Sequence, residues 1–536
     1  MLLSRLLLSS ISGSIFLTAS YSQEKVEKKR PNILIAICDD QSFSHTGFAG
    51  CTFVDTPGFD RIAGNGIYFS NCFAGSPGSA PSRGALVTGR HHWQNEQSGQ
   101  HASSWMKKYI PLVDVLEKGG YHTGFTGKGV APFQYARDER DSLWRGIDAA
   151  GKSYNSIRYQ EKGDMDERTA SGISRINYFE NFKAFMSGKS ETQPFYFWYG
   201  GNEAHRGFEK DSWKRNGKTL SSTEVPAFLP DNDLVRGDLL DYTVEIEWFD
   251  LHLTRMIDYL DSIGELENTI VIVTSDNGMS FPGAKAYCLE YGLHVPLAIS
   301  FPKEIPGNRK VDDPVGFIDI VPTLLEFTNL DSGEMMPIRG KSIVNILRSQ
   351  ESGIVDPKRE YIFGGRERHS SSQWNNLGYP QRAIRNSRYL LVWNMRPKRW
   401  PAGAPQAIIK GQDGEIAPMY GIDKKGIYHP EWAFTDIDPS PAKSFIIEHH
   451  YDAEVYPFFH RIFMKSPEFE LYDILDDPYC LVNLYEKKEY MNVGEKLKKE
   501  LIRELIDSRD PRLIGPDHEV FDSYIRYGHM REFPAP

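Results

Sequence analysis

Residues 32–37, Asn32-Ile33-Leu34-Ile35-Ala36-Ile37, are a continuous apolar run rich in β-formers. That is the pattern of a strand buried on both faces of a parallel sheet. Residues 269–274 repeat it, and residues 195–199 (Phe-Tyr-Phe-Trp-Tyr) are a further strand. Tyr242, Ile246, Phe249, Leu253, Met256 and Leu260 recur at spacings of four and three, which predicts an amphipathic helix. Gly264 stands where its C-terminal cap belongs. Strand, helix and strand in succession predict an α/β layered domain. From about residue 370 the texture changes: residues 385–393 and 469–473 are predicted strands separated by long Pro/Gly-rich loops, and Leu497, Leu501, Ile502, Leu505 and Ile506 mark a helix. We expect a first domain over residues 31–370 and a smaller α+β domain over 371–536.

The N-terminus has a different pattern. Arg5 precedes an apolar stretch from Leu6 to Ala19, with small residues at Ser20 and Ser22. This predicts an export signal over 1–22, followed by a charged linker over 23–30. Its removal deletes only Arg5, so the net charge moves from −10 to −11. No other stretch reaches the ~18 apolar residues of a membrane span, so the expected location is exported, periplasmic or extracellular. Hydrophobic residues at 40% and charged residues at 25% of 536 are those of a globular chain and exclude global disorder. A pI near 5.9 without a dense Lys/Arg block argues against a nucleic-acid partner. Aromatics at 12% are compatible with stacking on sugars. Of the five cysteines, Cys51 and Cys72 could bridge in an oxidising compartment or remain buried thiols.

Both strongest strands end in acid: Asp39-Asp40 after the first, Asp276-Asn277-Gly278 after the second. Ligands of open α/β sheets bind beyond the carboxyl ends of strands, and buried charge there calls for compensation. Three carboxylates and an amide are hard oxygen donors that suit Ca²⁺ or Mg²⁺ rather than zinc. The competing reading is that each cluster caps a helix or shapes a turn. A third element is Ser79-Ala80-Pro81-Ser82-Arg83, where a Gly/Ser/Pro-rich loop runs into a helix start. Exposed amides and Arg83 suit a tetrahedral oxyanion.

Ser79-x-Pro81-Ser82-Arg83, with Thr88-Gly89-Arg90 beyond it, resembles the maturation signature of formylglycine-dependent sulfatases. Asp39-Asp40, the Ser275-Asp276-Asn277-Gly278 turn, Lys285, and the closing Glu470-Leu471-Tyr472-Asp473 with Asp476-Asp477-Pro478 match the same family in order. His205-Arg206, residues 275–282, and Tyr379-Pro380 with Arg382 are most similar to its sulfamidase branch. The resemblance implies a large central, mostly parallel sheet flanked by helices, as in the alkaline phosphatase-like superfamily. It implies that a maturation enzyme oxidises Ser79 to formylglycine. Serine at this position fits a bacterial system. It implies one Ca²⁺ held by Asp39, Asp40, Asp276, Asn277 and residue 79. It further implies that Arg83 fixes the aldehyde hydrate, that Lys128 and Lys285 neutralise sulfate oxygens, and that His205 is the general acid. The implied substrate class is a sulfated carbohydrate, cleaved at an O–S or N–S bond.

One position departs from the family. Many sulfatases carry Lys-x-His at the first lysine, whereas this chain reads Lys128-Gly129-Val130. His101, His294 and His369 are candidates to substitute or to contact substrate, and Arg206, Arg366 and Arg368 are further candidate sugar contacts. Two other functions fit the same motifs. One is a phosphate or phosphonate ester hydrolase of the superfamily, and the other is a non-catalytic sulfated-glycan binding protein.

Overall fold

The computed structural model describes residues 29–136, 143–160 and 166–536. The expected export signal lies outside the described residues, as does all of the linker except Lys29 and Arg30. In chain order the strands are β1 (Asn32–Cys38), β2 (Ile67–Phe73), β3 (Ser104–Trp105), β4 (His122–Gly127), β5 (Gln134–Tyr135), β6 (Phe195–Gly200), β7 (Thr269–Ser275), β8 (His294–Ser300), β9 (Arg309–Val311), β10 (Val315–Gly316), β11 (Ile362–Arg366), β12 (Gln381–Arg385), β13 (Tyr389–Asn394) and β14 (Phe469–Asp473).

Every residue of β1 and β7 is buried, because both lie inside a sheet of order β10-β2-β8-β7-β1-β6-β4, with β9 beside β2. β1 runs parallel to β6 and β7, and β4 parallel to β6; only β8 opposes its neighbours β7 and β2. The mostly parallel sheet is therefore present. Ile33, Ile35 and Ile37 pack on one face with Leu112, Leu116 and Leu324. Leu34, Ala36 and Cys38 pack on the other with Tyr242, Ile246, Phe249 and Leu253. The latter come from the helix Asp233–Ser262, which starts earlier than its apolar stripe because the Asn232 side chain caps the Leu234 and Val235 amides. Gly264 leaves it at φ +71, as a terminating glycine does. Cys38 stands opposite Ser275, and Ile37 and Gly127 both stand opposite Gly200. The four central parallel strands thus end at one level, and the residues that follow them emerge side by side.

The second sheet, β11-β12-β13-β14, is antiparallel throughout and is backed by Leu497, Leu501 and Leu505 of the helix Met491–Asp507. Its first strand lies just before the change of texture near residue 370. Residues 385–393 are not one strand: Asn386 accepts from the Arg388 and Tyr389 amides at 2.9 and 2.7 Å and folds the segment into a hairpin. The two sheets join at Glu290, which binds Arg385 of β12 at 3.1 and 3.0 Å and His294 at 2.9 Å. All five cysteines are free. A Cys51–Cys72 bridge is not formed because Cys51 packs against one face of the central sheet and Cys72 belongs to the core of the other. Among the described residues, no helix is long and apolar enough to cross a membrane.

Candidate active site

Ser79 opens the helix Ser79–Thr88 directly above the ends of β1 and β7. Its Oγ donates to Asp39 Oδ1 at 2.9 Å, lies 3.4 Å from Asn277 Oδ1, and accepts from Lys128 Nζ at 3.0 Å. Lys128 also pairs with Asp39. Residue 127 must be glycine for this. It sits at φ +79, a Cβ there would lie 1.9 Å from the Gly200 carbonyl oxygen, and the next amide donates to that same oxygen at 2.7 Å. One turn into the helix, Arg83 is wholly buried. Its Nε donates to Asp276 Oδ2 at 2.7 Å and its Nη1 to the carbonyls of Lys128 and Gly129 at 3.0 and 3.1 Å. Its Nη2 points toward Asp39 at 3.8 Å and has no hydrogen-bond partner among the described residues. Asp40, at φ +65, accepts from Asn277 Nδ2 and Lys285 Nζ, both at 2.7 Å. Lys285 reaches on to Asp438 at 2.9 Å.

Burial drives the electrostatics. It pushes the Asp39 carboxyl up, but Lys128 and Arg83 outweigh it and hold the group ionised, well below the usual carboxylate range. For Asp40 burial wins over Lys285, and its carboxyl stands above the ordinary value. Burial would discharge Lys285, but Asp40, Asp438 and Asp39 keep it protonated. Asp39, Asp40 and Asp276 each offer an oxygen within 4.8 Å of the others, all three buried. With the Asn277 Oδ1 facing Ser79, this is an all-oxygen, strongly anionic donor set, and it fits a hard divalent cation. Asp40, His205 and Asp438 make a second close group, which brings His205 to the same centre.

A cavity of about 290 Å³ opens over Ser79, lined by Lys128, Lys285, His101, His205 and His369. Ser370, Thr435, Asp438, Pro439 and Arg531 complete it. The His205 Nδ1 lies 2.6 Å from the Arg206 carbonyl. Burial keeps the His369 imidazole neutral, with its pKa pushed down to about 4, and its Nδ1 donates to the Asp436 carbonyl at 3.1 Å. Among the described residues no Phe, Tyr or Trp lines the cavity. Trp93, Trp105, Trp198 and Trp248 are instead fully buried.

The structure thus gathers Asp39, Asp40, Ser79, Arg83, Lys128, His205, Asp276, Asn277 and Lys285, and adds His101 and His369. Arg206, His294, Arg366 and Arg368 do not line the cavity. Arg206 is held by Asp238 and lies between Phe208 and Phe281. His294 pairs with Glu290 and stacks on Phe43 at 3.9 Å. Arg366 binds Asp436 at 3.0 Å and sits over Tyr379. Arg368, next to His369, is buried and donates to the Tyr524 carbonyl at 2.8 Å. Val130 is core, its amide tied to Asp148 at 2.9 Å, so no proton-transfer group occupies its position. Sequence reasoning missed Asp438, Thr435, Ser370, Pro439 and Arg531. The Asp436-Ile437-Asp438-Pro439 run was the available signal, and it reads locally as a turn.

The family model described as Sulfatase matches residues 31–330. Human N-sulphoglucosamine sulphohydrolase is 24% identical over 515 residues, covering 91% of this chain and 93% of that protein. An ulvan-active sulfatase of Formosa agariphila is also 24% identical, covering 89% and 74%. A solved structure described as a complex with D-glucosamine-2-N,6-O-disulfate superposes with TM-score 0.59 at 18% identity, covering 90% of this chain and 99% of the other. The phosphonate monoester hydrolase of Agrobacterium radiobacter gives 0.60, also at 18%, covering 90% and 97%. These two likenesses bear on the fold, whereas the family match spans more than half of the chain and contains the strand ends, the Ser79 helix and both lysines. The protein belongs to the sulfatase family.

Proposed function

We propose that this enzyme hydrolyses sulfate esters or sulfamates of a sulfated carbohydrate, with Ser79 matured to formylglycine and one Ca²⁺ held by Asp39, Asp40, Asp276, Asn277 and residue 79. The observation that carries the reading is the position of the Ser79 Oγ, between the Asp39 carboxylate at 2.9 Å and the Lys128 ammonium at 3.0 Å, above the carboxylate trio. The names of the two sequence relatives, which refer to N-sulphoglucosamine and to ulvan, support a carbohydrate. Residues 1–22 support export to the periplasm or beyond.

A serine hydroxyl without a neutral base beside it is a weak nucleophile, and the groups in contact with the Ser79 Oγ among the described residues are the Asp39 carboxylate, the Asn277 amide oxygen and the Lys128 ammonium. The bound cation would polarise a sulfate oxygen and make a hydroxyl at residue 79 more acidic. Asp39, kept ionised, accepts the Oγ–H. Lys128 and Lys285 carry positive charge to the cavity floor and offset the charge that develops on the sulfate oxygens. Arg83 fixes the helix start against Asp276 and aims its free Nη2 inward. A carbonyl can only accept, so the contact with Arg206 places a proton on His205 Nδ1, and the protonated ring delivers the Nε2 proton to the leaving oxygen or nitrogen.

The test is mass spectrometry of the Ser79 peptide from a host with the maturation system, beside release of free sulfate from sulfated oligosaccharides. We expect a peptide lighter by two hydrogens and faster turnover of aryl sulfate than of aryl phosphate. Faster phosphate turnover would make the protein a phosphate or phosphonate hydrolase. An unmodified peptide with glycan binding and no release would make it a binding protein.

A further inference from the structure

Three arginines, one lining the cavity and two on segments packed against its wall, have no carboxylate ion-pair partner among the described residues. Arg531 lines it, and its backbone amide and Nη1 are held by Ser371 and Ser370 at 3.0 to 3.2 Å. Arg368 is 3% exposed on the segment that carries His369 into the cavity, and its Nε and Nη2 have no partner among the described residues. Arg526 donates to the His529 carbonyl, and its buried Nε likewise has none.

The acids nearby are already committed. Glu367 holds Arg382 and Arg512 at 2.7 and 2.8 Å, and Asp522 holds Arg399 at 2.9 Å. Asp436 holds Arg366 at 3.0 Å, and Asp438 holds Lys285 at 2.9 Å. The arginines also feel one another. Burial and then Arg526 push the Arg368 guanidinium down to about 10, and burial and then Arg531 lower that of Arg526. Arg526 lies on a segment held beside the cavity wall: Ser103 Oγ donates to the Ile525 carbonyl at 2.7 Å and the Tyr527 amide to the Ala102 carbonyl at 2.6 Å, next to the cavity-lining His101, while Arg368 donates to the Tyr524 carbonyl at 2.8 Å. Guanidinium N–H groups that are desolvated, mutually repelling and unpaired are costly unless an anion joins them.

We propose that Arg368, Arg526 and Arg531 form a second anion subsite that receives a carboxylate or a second sulfate on the sugar unit whose first sulfate is placed at residue 79. The guanidinium fork matches both groups in bidentate fashion. The cavity, at about 290 Å³, is at the small end of sites that take a whole small molecule, so both anions belong to one short unit. The substrate class is thereby narrowed to a multiply charged sulfated sugar. This inference rests on the reading of the cavity as a sulfatase site.

The experiment is titration calorimetry on the full chain with Ser79 left unmodified, so that nothing turns over. The three probes are N-acetylglucosamine 6-sulfate, glucosamine 2-N,6-O-disulfate, and a uronic acid 2-O-sulfate, which carries its carboxylate and sulfate on one sugar unit. We expect at least one doubly charged probe to bind about tenfold or more tighter than the monosulfate, and whichever does so names the second anion as sulfate or carboxylate. In R526Q, and in R368Q where its melting temperature shows that it folds, the ratio falls toward one. R368K, which keeps the charge and loses the fork, recovers part of it. Equal binding of all three probes by the unsubstituted chain, or an unchanged ratio in R526Q, overturns the subsite and leaves the sulfatase reading standing. No binding of any probe, together with no sulfate release by the matured enzyme, overturns both.

Discussion

At the scale of single residues, the charge pattern around position 79 sets the chemistry. Lys128 touches both the Ser79 Oγ and Asp39, so Lys128→Ala removes the cation nearest the scissile group. Steady-state kinetics on a sulfated substrate should show kcat/KM falling by about 10²-fold or more, the usual effect of deleting one preorganised electrostatic contact. Val130→His is predicted to restore no activity and to destabilise, because it places an imidazole in a fully buried apolar site; thermal melting checks this. Asp39, Asp40, Asp276 and Asn277 were legible because two polar clusters at equivalent ends of all-apolar strands are harder to explain as separate caps or turns than one would be. His294 and Arg206 were misleading as candidates. Each is charged or polar in sequence yet consumed by an internal partner, Glu290 and Asp238, and only the fold reveals those pairings.

At the scale of elements, the join between the sheets is an ionic one. Burial pushes the Glu290 carboxyl up, but Arg385 and His294 outweigh it and hold it at about 2, against an ordinary 4.5. A depressed carboxyl contributes stability that is complete above about 4.5 and is lost as pH falls toward 2. Denaturant melts across that window should show falling stability, and Glu290→Gln should flatten that part of the profile. At neutral pH the same substitution leaves Arg385 buried without its carboxylate and should cost about 3 kcal/mol. β1, β7 and the helix Asp233–Ser262 were legible because burial on two faces, or on one stripe, imposes a period on the sequence. The β12–β13 hairpin was not, since three polar residues inside an otherwise strand-like run mark a turn only through the Asn386 side-chain bonds.

At the scale of the whole molecule, the end of the central sheet supplies the oxygen cluster, and His369, Ser370, Thr435, Asp438, Pro439 and Arg531 close the cavity. That closure was invisible in sequence because it is made by loop residues without periodicity. The oxygen cluster predicts linkage to a hard divalent cation, for which Ca²⁺ is the proposed ion. After chelation the melting temperature should fall and turnover cease. Added Ca²⁺ at 100 times its Kd should restore about 2.7 kcal/mol, and Asp40→Asn should blunt that response in a calorimetric melt. The central claim, that residue 79 is the reacting group of this cluster, is tested most directly by free sulfate released from a sulfated oligosaccharide by the matured enzyme and by its Ser79→Ala variant. The account predicts steady release by the former and none above background by the latter. Equal release by both would contradict it.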